Sequence, residues 1–202
     1  MTTTPTASLA ERKRQLVADE LTRAALGLLA QKGFDAVTVD EIAACAGMSK
    51  RTFFRYFASK EDVVVQFLAG LGAGMRAELA SRPAGEPPSA ALRHAVRACV
   101  DACAGQAERT LRVVRLILGT PALHARFLEH QAQWRDELAA ELAARLGLDA
   151  AALHPRLAAG TALTAFDVVL QQWSSGDGSE DPAALTDRAF ATLAPALDAT
   201  PR

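Results

Sequence analysis

The chain has 202 residues, of which 50% are hydrophobic, so it is long enough to bury a substantial core. Charged residues or glycines interrupt every apolar run before the roughly 20 residues that a membrane span requires, and residues 1–10 lack the pattern of a secretory signal. Three cysteines, Cys45, Cys99 and Cys103, are too few for a disulfide scaffold. We therefore expect a soluble cytoplasmic protein with reduced thiols and no membrane partner.

The net charge of −1 is unevenly distributed along the sequence. Residues 1–60 contain nine Lys or Arg and six Asp or Glu, whereas residues 61–202 contain thirteen and seventeen. A basic N-terminal part followed by an acidic remainder suggests nucleic-acid binding at the N terminus, although a basic stretch is also compatible with an ordinary solvated surface.

Apolar residues recur at three- and four-residue spacing, which predicts an all-α protein. The first clear helix is predicted over residues 11–32, and Gly33 is placed to end it. Thr38 and Glu41 then have the spacing of a capping box at the start of a short second helix. Gly47 ends that helix, and Ser49 is a good N-cap for a third, predicted over residues 50–57.

A second capping signature at Ser59 opens a longer fourth helix that is predicted to reach about residue 80. Residues 81–89 are rich in Pro, Gly and Ser and are predicted to form a loop. Further helices are predicted over residues 89–104, 106–118, 121–147, 150–174 and 181–197. We divide the chain into an N-terminal three-helix DNA-binding domain, residues 1–60, and a larger C-terminal helical domain, residues 61–202.

Two short helices joined by Gly47, Met48 and Ser49 have the spacing of a helix-turn-helix. Phe53 and Phe57 lie four residues apart and are predicted to face inward. The outer face then carries cations for phosphates and guanine edges and hydroxyls for phosphates: Lys50, Arg51, Thr52, Arg55 and Tyr56. A helical hairpin with a solvated basic face is the alternative that spacing alone leaves open.

Residues 38–60, TVDEIAACAGMSKRTFFRYFASK, resemble the helix-turn-helix signature of the TetR family of transcriptional repressors over nearly the whole motif. The resemblance implies that the second helix of the motif enters the major groove of a double-stranded DNA operator. It implicates Thr38, Ser49, Thr52, Tyr56 and Lys60 in positioning on phosphates, with Lys50, Arg51 and Arg55 as candidates for reading bases.

Two positions depart from the family pattern. Position 54 is Phe where the family commonly has a phosphate-binding Tyr, so that hydroxyl contact is lost. Phe54 stays among the candidate DNA-binding residues, and we expect it to act only through packing. Position 51 is Arg where many members have a small residue, and we expect Arg51 to make a bidentate contact with guanine.

The resemblance also implies that the last two helices form a four-helix bundle with those of a second subunit. Small and apolar residues at these helices are candidates for that homodimer contact, with an intramolecular core as the alternative: Ala158, Ala159, Ala162, Ala165, Val169, Ala184, Phe190, Leu193 and Leu197.

The middle helices are expected to form the pocket for a small-molecule effector, and residues 109–147 are similar to a subgroup with an acyl-CoA-like C-terminal domain. Apolar candidates for the pocket are Phe67, Leu71, Met75, Cys99, Cys103, Leu111, Val114, Leu118, Phe127, Trp134 and Phe166. Polar candidates are Thr164 and Asp167, which belong with Thr161 and Gln171 to a series that either orients a ligand or bonds across the dimer contact.

The sequence leaves two other classes of function to consider: a metal- or redox-sensing regulator and an enzyme. A metal- or redox-sensing regulator acting through Cys99 and Cys103 is the main alternative for the input signal, although His94 is off their helical face and no second ligand pair has suitable spacing. An enzyme is not expected, because the sequence has no phosphate-binding glycine loop, nucleophile elbow or paired metal-binding His. We predict no metal, cofactor or catalytic residue.

The resulting prediction is a homodimeric repressor that leaves a pseudo-palindromic operator when a small, hydrophobic or acyl-like effector binds. In the family, ligand binding shifts the helix that begins here at Lys60. Gly70, Gly72 and Gly74 are expected to make the middle of that helix flexible.

Overall fold

The computed structural model describes residues 8–101, 107–176 and 179–199, and within these ranges the chain forms nine α-helices and no strand. The helices are α1 (Leu9–Lys32), α2 (Val39–Cys45), α3 (Lys50–Tyr56), α4 (Lys60–Ser81), α5 (Pro88–Asp101), α6 (Ala107–Gly119), α7 (Pro121–Leu146), α8 (Leu153–Ser175) and α9 (Pro182–Leu197). This confirms the all-α prediction with an N-terminal helix-turn-helix and a larger helical C-terminal part.

The chain divides into two compact units, residues 1–67 and 68–202, and the division falls inside α4. In the first unit α2 packs against both α1 and α3. Its core is formed by large apolar side chains that are almost fully buried: Leu21, Leu29, Ile42, Phe53, Phe57 and Val63. The contact with α2 holds α3 at the surface of this unit.

The first helix begins earlier than its apolar pattern predicts. Ser8 accepts a hydrogen bond from the backbone N–H of Glu11, and the Glu11 carboxylate accepts one from the backbone N–H of Ser8. This capping box satisfies two N–H groups at the helix start, so α1 begins at Leu9 and not at residue 11. The helix ends at Gly33, as predicted, with the Gly33 N–H bonded to the carbonyl of Leu29 at 2.9 Å.

In the second unit α7 packs against α8, and α9 packs against both α5 and α8. Its core includes the fully buried side chains of Met75, Leu92, Leu123, Leu138 and Leu142, with Trp134 at 2% exposure. A separate cluster of Leu111, Val169, Trp173 and Leu185 joins α6, α8 and α9, with Val114 packed against it.

Polar contacts fix the ends of these helices. The Arg145 guanidinium donates to the carbonyls of Leu79, Arg82 and Pro83, at 2.6–3.2 Å. These carbonyls lie at the end of α4 and in the segment that follows it, so this arginine ties α7 to the point where α4 ends. The Ser89 hydroxyl and N–H both donate to the Asp198 carboxylate, which ties the start of α5 to the end of α9.

Among the described residues, α4 is long and apolar enough to cross a membrane by length and composition, with a mean hydropathy of 1.3. Core helices of globular proteins meet the same criterion. The regularly spaced Val64, Leu68, Met75 and Leu79 of α4 are each at most 1% exposed, which is the pattern of a helix that packs against protein.

Candidate DNA-binding surface and effector domain

The turn between α2 and α3 has the geometry of a helix-turn-helix. Gly47 has φ of +67°, a left-handed conformation that is unfavourable for residues with a Cβ, and this stops α2. The Met48 N–H then bonds to the Ala43 carbonyl at 2.8 Å, and the Ser49 hydroxyl accepts the N–H of Thr52 at 3.1 Å. The chain is thus redirected within three residues, as the sequence predicts.

The inner face of the motif is apolar and tightly packed. Ile42 and Phe53 are fully buried, Phe57 is 3% exposed, and the Phe53 and Phe57 rings lie 5.5 Å apart. Burial of these side chains fixes which side of α3 faces outward. Lys50, Arg51, Phe54 and Arg55 are exposed on that outer side, whereas Thr52 and Tyr56 are partly buried at its edge.

The cationic side chains of α3 differ in the hydrogen bonds and ion pairs that they make within the protein. Lys50 pairs with Asp40 of α2 at 2.9 Å, and Arg55 donates to the Tyr56 hydroxyl at 3.3 Å while lying over its ring. Arg51 has no hydrogen bond or ion pair to any residue that the structure describes. Its five donors are therefore available to an external acceptor.

The hydroxyls predicted to grip phosphates also cap helices. Thr38 and Glu41 form the predicted capping box, in which the Thr38 hydroxyl both accepts the Glu41 N–H and donates to its carboxylate. A hydrogen bond from Lys32, followed by those from the backbone and hydroxyl of Thr38, lowers the pKa of Glu41 to about 2. Glu41 is therefore ionised at neutral pH, and the start of α2 keeps its cap.

Lys60 has a structural role that the sequence pattern did not reveal. Its ammonium donates to the carbonyls of Phe34 at 2.6 Å and Val37 at 3.1 Å, and it lies 4.4 Å from the centre of the Phe34 ring. These contacts use two of its three donors and join the start of α4 to the segment between α1 and α2. A phosphate contact by Lys60 thus depends on the remaining donor.

Phe54 is not packed away inside the protein. Its side chain is 49% exposed, and its ring contacts that of Phe53 edge-on at 5.5 Å. About half of this side chain is therefore open to a partner, and a role of Phe54 through packing stays a prediction. Phe54 shares an open concavity with residues predicted to contact DNA: Ser49, Arg51, Thr52 and Arg55.

The predicted effector residues do not form one group in the structure. Phe127 and Trp134 are in edge-on contact at 5.9 Å, and Met75, Cys99 and Phe166 are also buried in the second unit. Leu111 and Val114 belong instead to the separate cluster beside Trp173. Leu71 and Leu118 are partly buried, Phe67 falls in the first unit, and Cys103 lies outside the described residues.

The predicted polar series on α8 is divided between two environments. Thr164 is exposed, donates its hydroxyl to the Gly160 carbonyl at 3.0 Å, and lines a groove of about 540 Å³ between α7 and α8. Asp167 is partly buried, accepts a hydrogen bond from Gln171 at 2.7 Å, and has a second carboxylate oxygen that is buried without a described protein partner. The pKa of Asp167 is raised above its ordinary value, because the effect of burial outweighs the opposing effects of His124 and of the hydrogen bond from Gln171.

Seven of the nine candidates for the dimer contact are buried within the single chain. Ala158, Ala159, Ala162, Ala165, Val169, Phe190 and Leu197 are each at most 7% exposed. They belong to the intramolecular core, which was the alternative reading of their pattern, and they cannot present a surface to a partner. Of the remaining two candidates, Ala184 is exposed and Leu193 is partly buried.

The metal- or redox-sensing alternative involves Cys99, which the structure describes, and Cys103, which lies outside the described residues. No group of three or more His, Cys, Asp or Glu side chains that could hold a metal ion occurs among the described residues. Cys99 is 7% exposed, and His94 lies 3.7 Å from Glu86.

Gly72 on α4 is a close-packing position, contrary to the expectation of flexibility. A Cβ at residue 72 would overlap Nε1 and Cδ1 of the Trp134 indole, whereas a Cβ at Gly70 or Gly74 would meet nothing within 4 Å. The absence of a side chain at residue 72 therefore allows Trp134 of α7 to lie directly on α4.

This difference predicts opposite effects of one substitution at neighbouring positions. Gly72→Ala is expected to lower the free energy of unfolding by about 1–2 kcal/mol, because the overlap outweighs the gain in helix propensity. Gly70→Ala and Gly74→Ala are matched controls and are expected to raise it by up to about 1 kcal/mol. Urea unfolding of the three variants tests this, and shifts in the same direction for all three would contradict the packing role of Gly72.

Taken together, the three-helix N-terminal unit and the cationic outer face of α3 define a helix-turn-helix DNA-binding regulator. Comparison with known proteins gives the family. The model for bacterial regulatory proteins of the tetR family matches residues 21–67, and the model for the MftR C-terminal domain matches residues 86–198. Because the second match alone covers more than half of the sequence, the chain belongs to the TetR family of transcriptional regulators and is not an enzyme.

Two relatives and one solved structure illustrate the similarity. The chain is 36% identical to the transcriptional regulator TcmR of Streptomyces glaucescens over 147 residues, which are 70% of the chain and 65% of TcmR. It is 31% identical to a putative mycofactocin biosynthesis transcriptional regulator, MftR of Mycobacterium tuberculosis, over 81% of the chain and 84% of the relative. Its fold is similar to that of Bacillus subtilis FadR in complex with stearoyl-CoA, with a TM-score of 0.66 at 20% identity, covering 87% and 97% of the two chains.

Proposed function

We propose that the protein is a homodimeric, ligand-responsive repressor that occupies a pseudo-palindromic operator and is released by a small, hydrophobic or acyl-like effector. The observation that carries the proposal is the outer face of α3, where Arg51 is exposed and has no partner among the described residues. Two such helices in a dimer address half-sites about one DNA turn apart. This role places the protein in the cytoplasm, where it has access to the chromosome.

The contacts with DNA are proposed to fall into two groups. Ser49, Thr52 and Tyr56 border the outer face of α3 and position it on DNA phosphates. Thr38, at the start of α2, and Lys60, at the start of α4, are proposed to contact phosphates of the same DNA strand. Arg51 reads a guanine edge. Lys50 and Arg55 are already engaged by Asp40 and Tyr56, so their contact with bases requires those bonds to be exchanged.

The homodimer contact is proposed to use the exposed faces of α8 and α9. Leu157 is 59% exposed and Val168 is 53% exposed, and with Thr161 and Thr164 they form a stripe along α8 at spacings of three and four residues. Exposed residues of α9 have the same spacing: Ala184, Arg188, Ala191 and Pro195. Stripes of this period on two adjacent helices suit a four-helix bundle between two copies.

The effector is proposed to carry an acyl chain. The buried aromatic pair Phe127 and Trp134 and the buried side chain of Met75 provide apolar surface in the second unit. The fold is shared with a FadR protein that was crystallised with stearoyl-CoA. An acyl chain that displaces the Trp134 indole would remove the packing of the indole on Gly72. The position of α4 would change as a result, and α4 carries the change toward its N-terminal end.

Release of DNA by acyl-CoA thioesters tests this part of the proposal. Stearoyl-CoA and shorter thioesters are added to the full-length protein bound to a fluorescent operator selected from a random duplex pool. We expect at least one chain length to raise the operator Kd about tenfold or more and to raise the Tm of the free protein, because differential affinity for the two states shifts the equilibrium.

Two controls give this experiment its specificity. Free coenzyme A, which lacks the acyl chain, is expected to leave the operator Kd unchanged. Zn²⁺ and a mild oxidant test the metal- or redox-sensing alternative through Cys99 and Cys103. If these agents released the operator and no thioester did, the proposal of an acyl-like effector would be wrong.

A further inference from the structure

We propose that Phe54 reads the methyl group of a thymine in each half-site, next to the guanine that Arg51 reads. The inference deepens the proposed function and rests on it, because it requires α3 to enter the major groove. It assigns a specificity role to a position where the sequence pattern suggested none.

The first supporting observation is the exposure of Phe54. The ring lies on the outer face of α3 with 49% of its surface exposed, while Phe53 and Phe57 on the opposite side are buried. The edge-on contact with Phe53, at 5.5 Å and 89°, holds one side of the ring and leaves the other accessible. The ring is therefore fixed in direction, which lowers the entropic cost of placing it against a partner.

The second supporting observation is the set of residues that surround Phe54. Phe54 lines the same concavity as Arg51, Arg55, Ser49 and Thr52. Cations and hydroxyls suit guanine edges and phosphates, but a phenyl ring has no donor or acceptor for either. The apolar group that base pairs present in the major groove is the thymine C5-methyl, so it is the complement of this ring.

Helix geometry then sets the distance between the two contacts. Arg51 and Phe54 lie three residues apart on α3, which corresponds to a rise of about 4.5 Å along the helix and nearly one full turn. The rise of duplex DNA is about 3.4 Å per base pair on each strand. We therefore expect the thymine to lie one or two base pairs from the guanine read by Arg51.

Uracil scanning of the operator tests the inference. Each thymine of an operator selected from a random pool is replaced in turn by deoxyuridine, which removes only the C5-methyl group, and binding of the full-length protein is measured by fluorescence anisotropy. We expect the Kd to rise about fourfold when the critical thymine is changed in one half-site and about fifteenfold when it is changed in both, as expected for the loss of one buried methyl per half-site.

Variants assign the effect to the phenyl ring. Phe54→Ala is expected to bind the thymine and uracil operators equally. Arg51→Ala is the matched control on the same helix, and it is expected to keep the sensitivity to uracil while losing sensitivity to 7-deazaguanine, which lacks the N7 acceptor. Circular dichroism of both variants checks that the helices remain folded.

The outcomes separate this inference from the function on which it rests. If the wild-type protein selects an operator but no uracil substitution changes its Kd, or if Phe54→Ala retains the uracil sensitivity, the inference is overturned while the DNA-binding role stands. A selected operator that has no thymine within two base pairs of the critical guanine would also overturn the inference and leave the DNA-binding role in place. If no duplex is bound selectively, both the inference and the proposed function are wrong.

Discussion

Replacement of Arg51 by alanine is expected to weaken binding to the cognate operator by about 1–3 kcal/mol per half-site and to leave binding to unrelated duplex DNA nearly unchanged. The reason is the state of the side chain in the free protein. Arg51 is exposed on α3 and has no partner among the described residues, so its guanidinium can bond to guanine O6 and N7 without first breaking an internal contact. Fluorescence anisotropy with both duplexes at one salt concentration measures the effect.

Lys50→Ala provides the comparison for this prediction. Lys50 is adjacent in sequence and also exposed, but its ammonium is paired with Asp40 at 2.9 Å. A base contact by Lys50 would require this ion pair to be exchanged, so we expect base reading to fall to Arg51 and Lys50 to contribute through phosphate. Its loss is then expected to weaken binding to the operator and to unrelated DNA by similar factors. If Arg51→Ala gave the same uniform loss, Arg51 would be a phosphate contact and the assignment to base reading would be wrong.

Replacement of both Leu157 and Val168 by glutamate is expected to convert the proposed homodimer to a monomer and to reduce operator affinity by about 10²–10⁴-fold. Both side chains are more than half exposed on the proposed stripe of α8, and a pair of glutamates from each copy would place four like charges in a small, desolvated contact. Loss of the second reading helix then removes the gain from bivalent binding. Sedimentation velocity and anisotropy report the two effects.

Leu16→Glu is the matched control for the dimer variant. Leu16 is 68% exposed on α1, in the first unit, so it offers the same chemistry away from the proposed stripe. We expect this variant to remain a dimer. A dimer of unchanged stability in the Leu157 and Val168 variant would show that copies associate through another surface.

The helix-turn-helix was predictable from sequence because local chemistry determines it. The Thr38 and Glu41 capping box, the left-handed Gly47 and the Ser49 N-cap each act within a few residues of their position. The inward placement of Phe53 and Phe57 follows from helical periodicity alone. The helix α1 begins at Leu9, slightly before the predicted residue 11, because its start is fixed by Ser8 and Glu11, which precede the apolar face from which the helix was predicted.

Periodicity did not reveal which neighbour covers an apolar face. Ala158, Ala162 and Val169 have the pattern of a contact surface, and the structure shows that their own chain covers them. The exposed stripe through Leu157 and Val168 lies on the same helix, rotated from the buried face. A choice between two sides of one helix depends on the packing of α7 and α9 around α8, which is tertiary information.

Contacts between residues distant in sequence also could not be predicted from the sequence pattern. The Lys60 ammonium bonds to Phe34 and Val37, which lie 26 and 23 residues earlier. Gly72 permits the close approach of Trp134, although three glycines at alternate positions suggested a flexible segment. In each case the residue type was compatible with two roles, and the role was decided by a partner that only the fold brings near.

The most direct test of the central claim, that the outer face of α3 binds a specific duplex, is a salt titration of the full-length protein on the operator selected from a random pool. We expect binding to this operator to be at least about 10³-fold tighter than binding to unrelated DNA at physiological salt. We also expect the operator affinity to fall steeply between about 50 and 200 mM salt, because added salt opposes the release of counterions from the DNA. Equal affinity for all duplexes, or no binding at any salt concentration, would contradict the central claim.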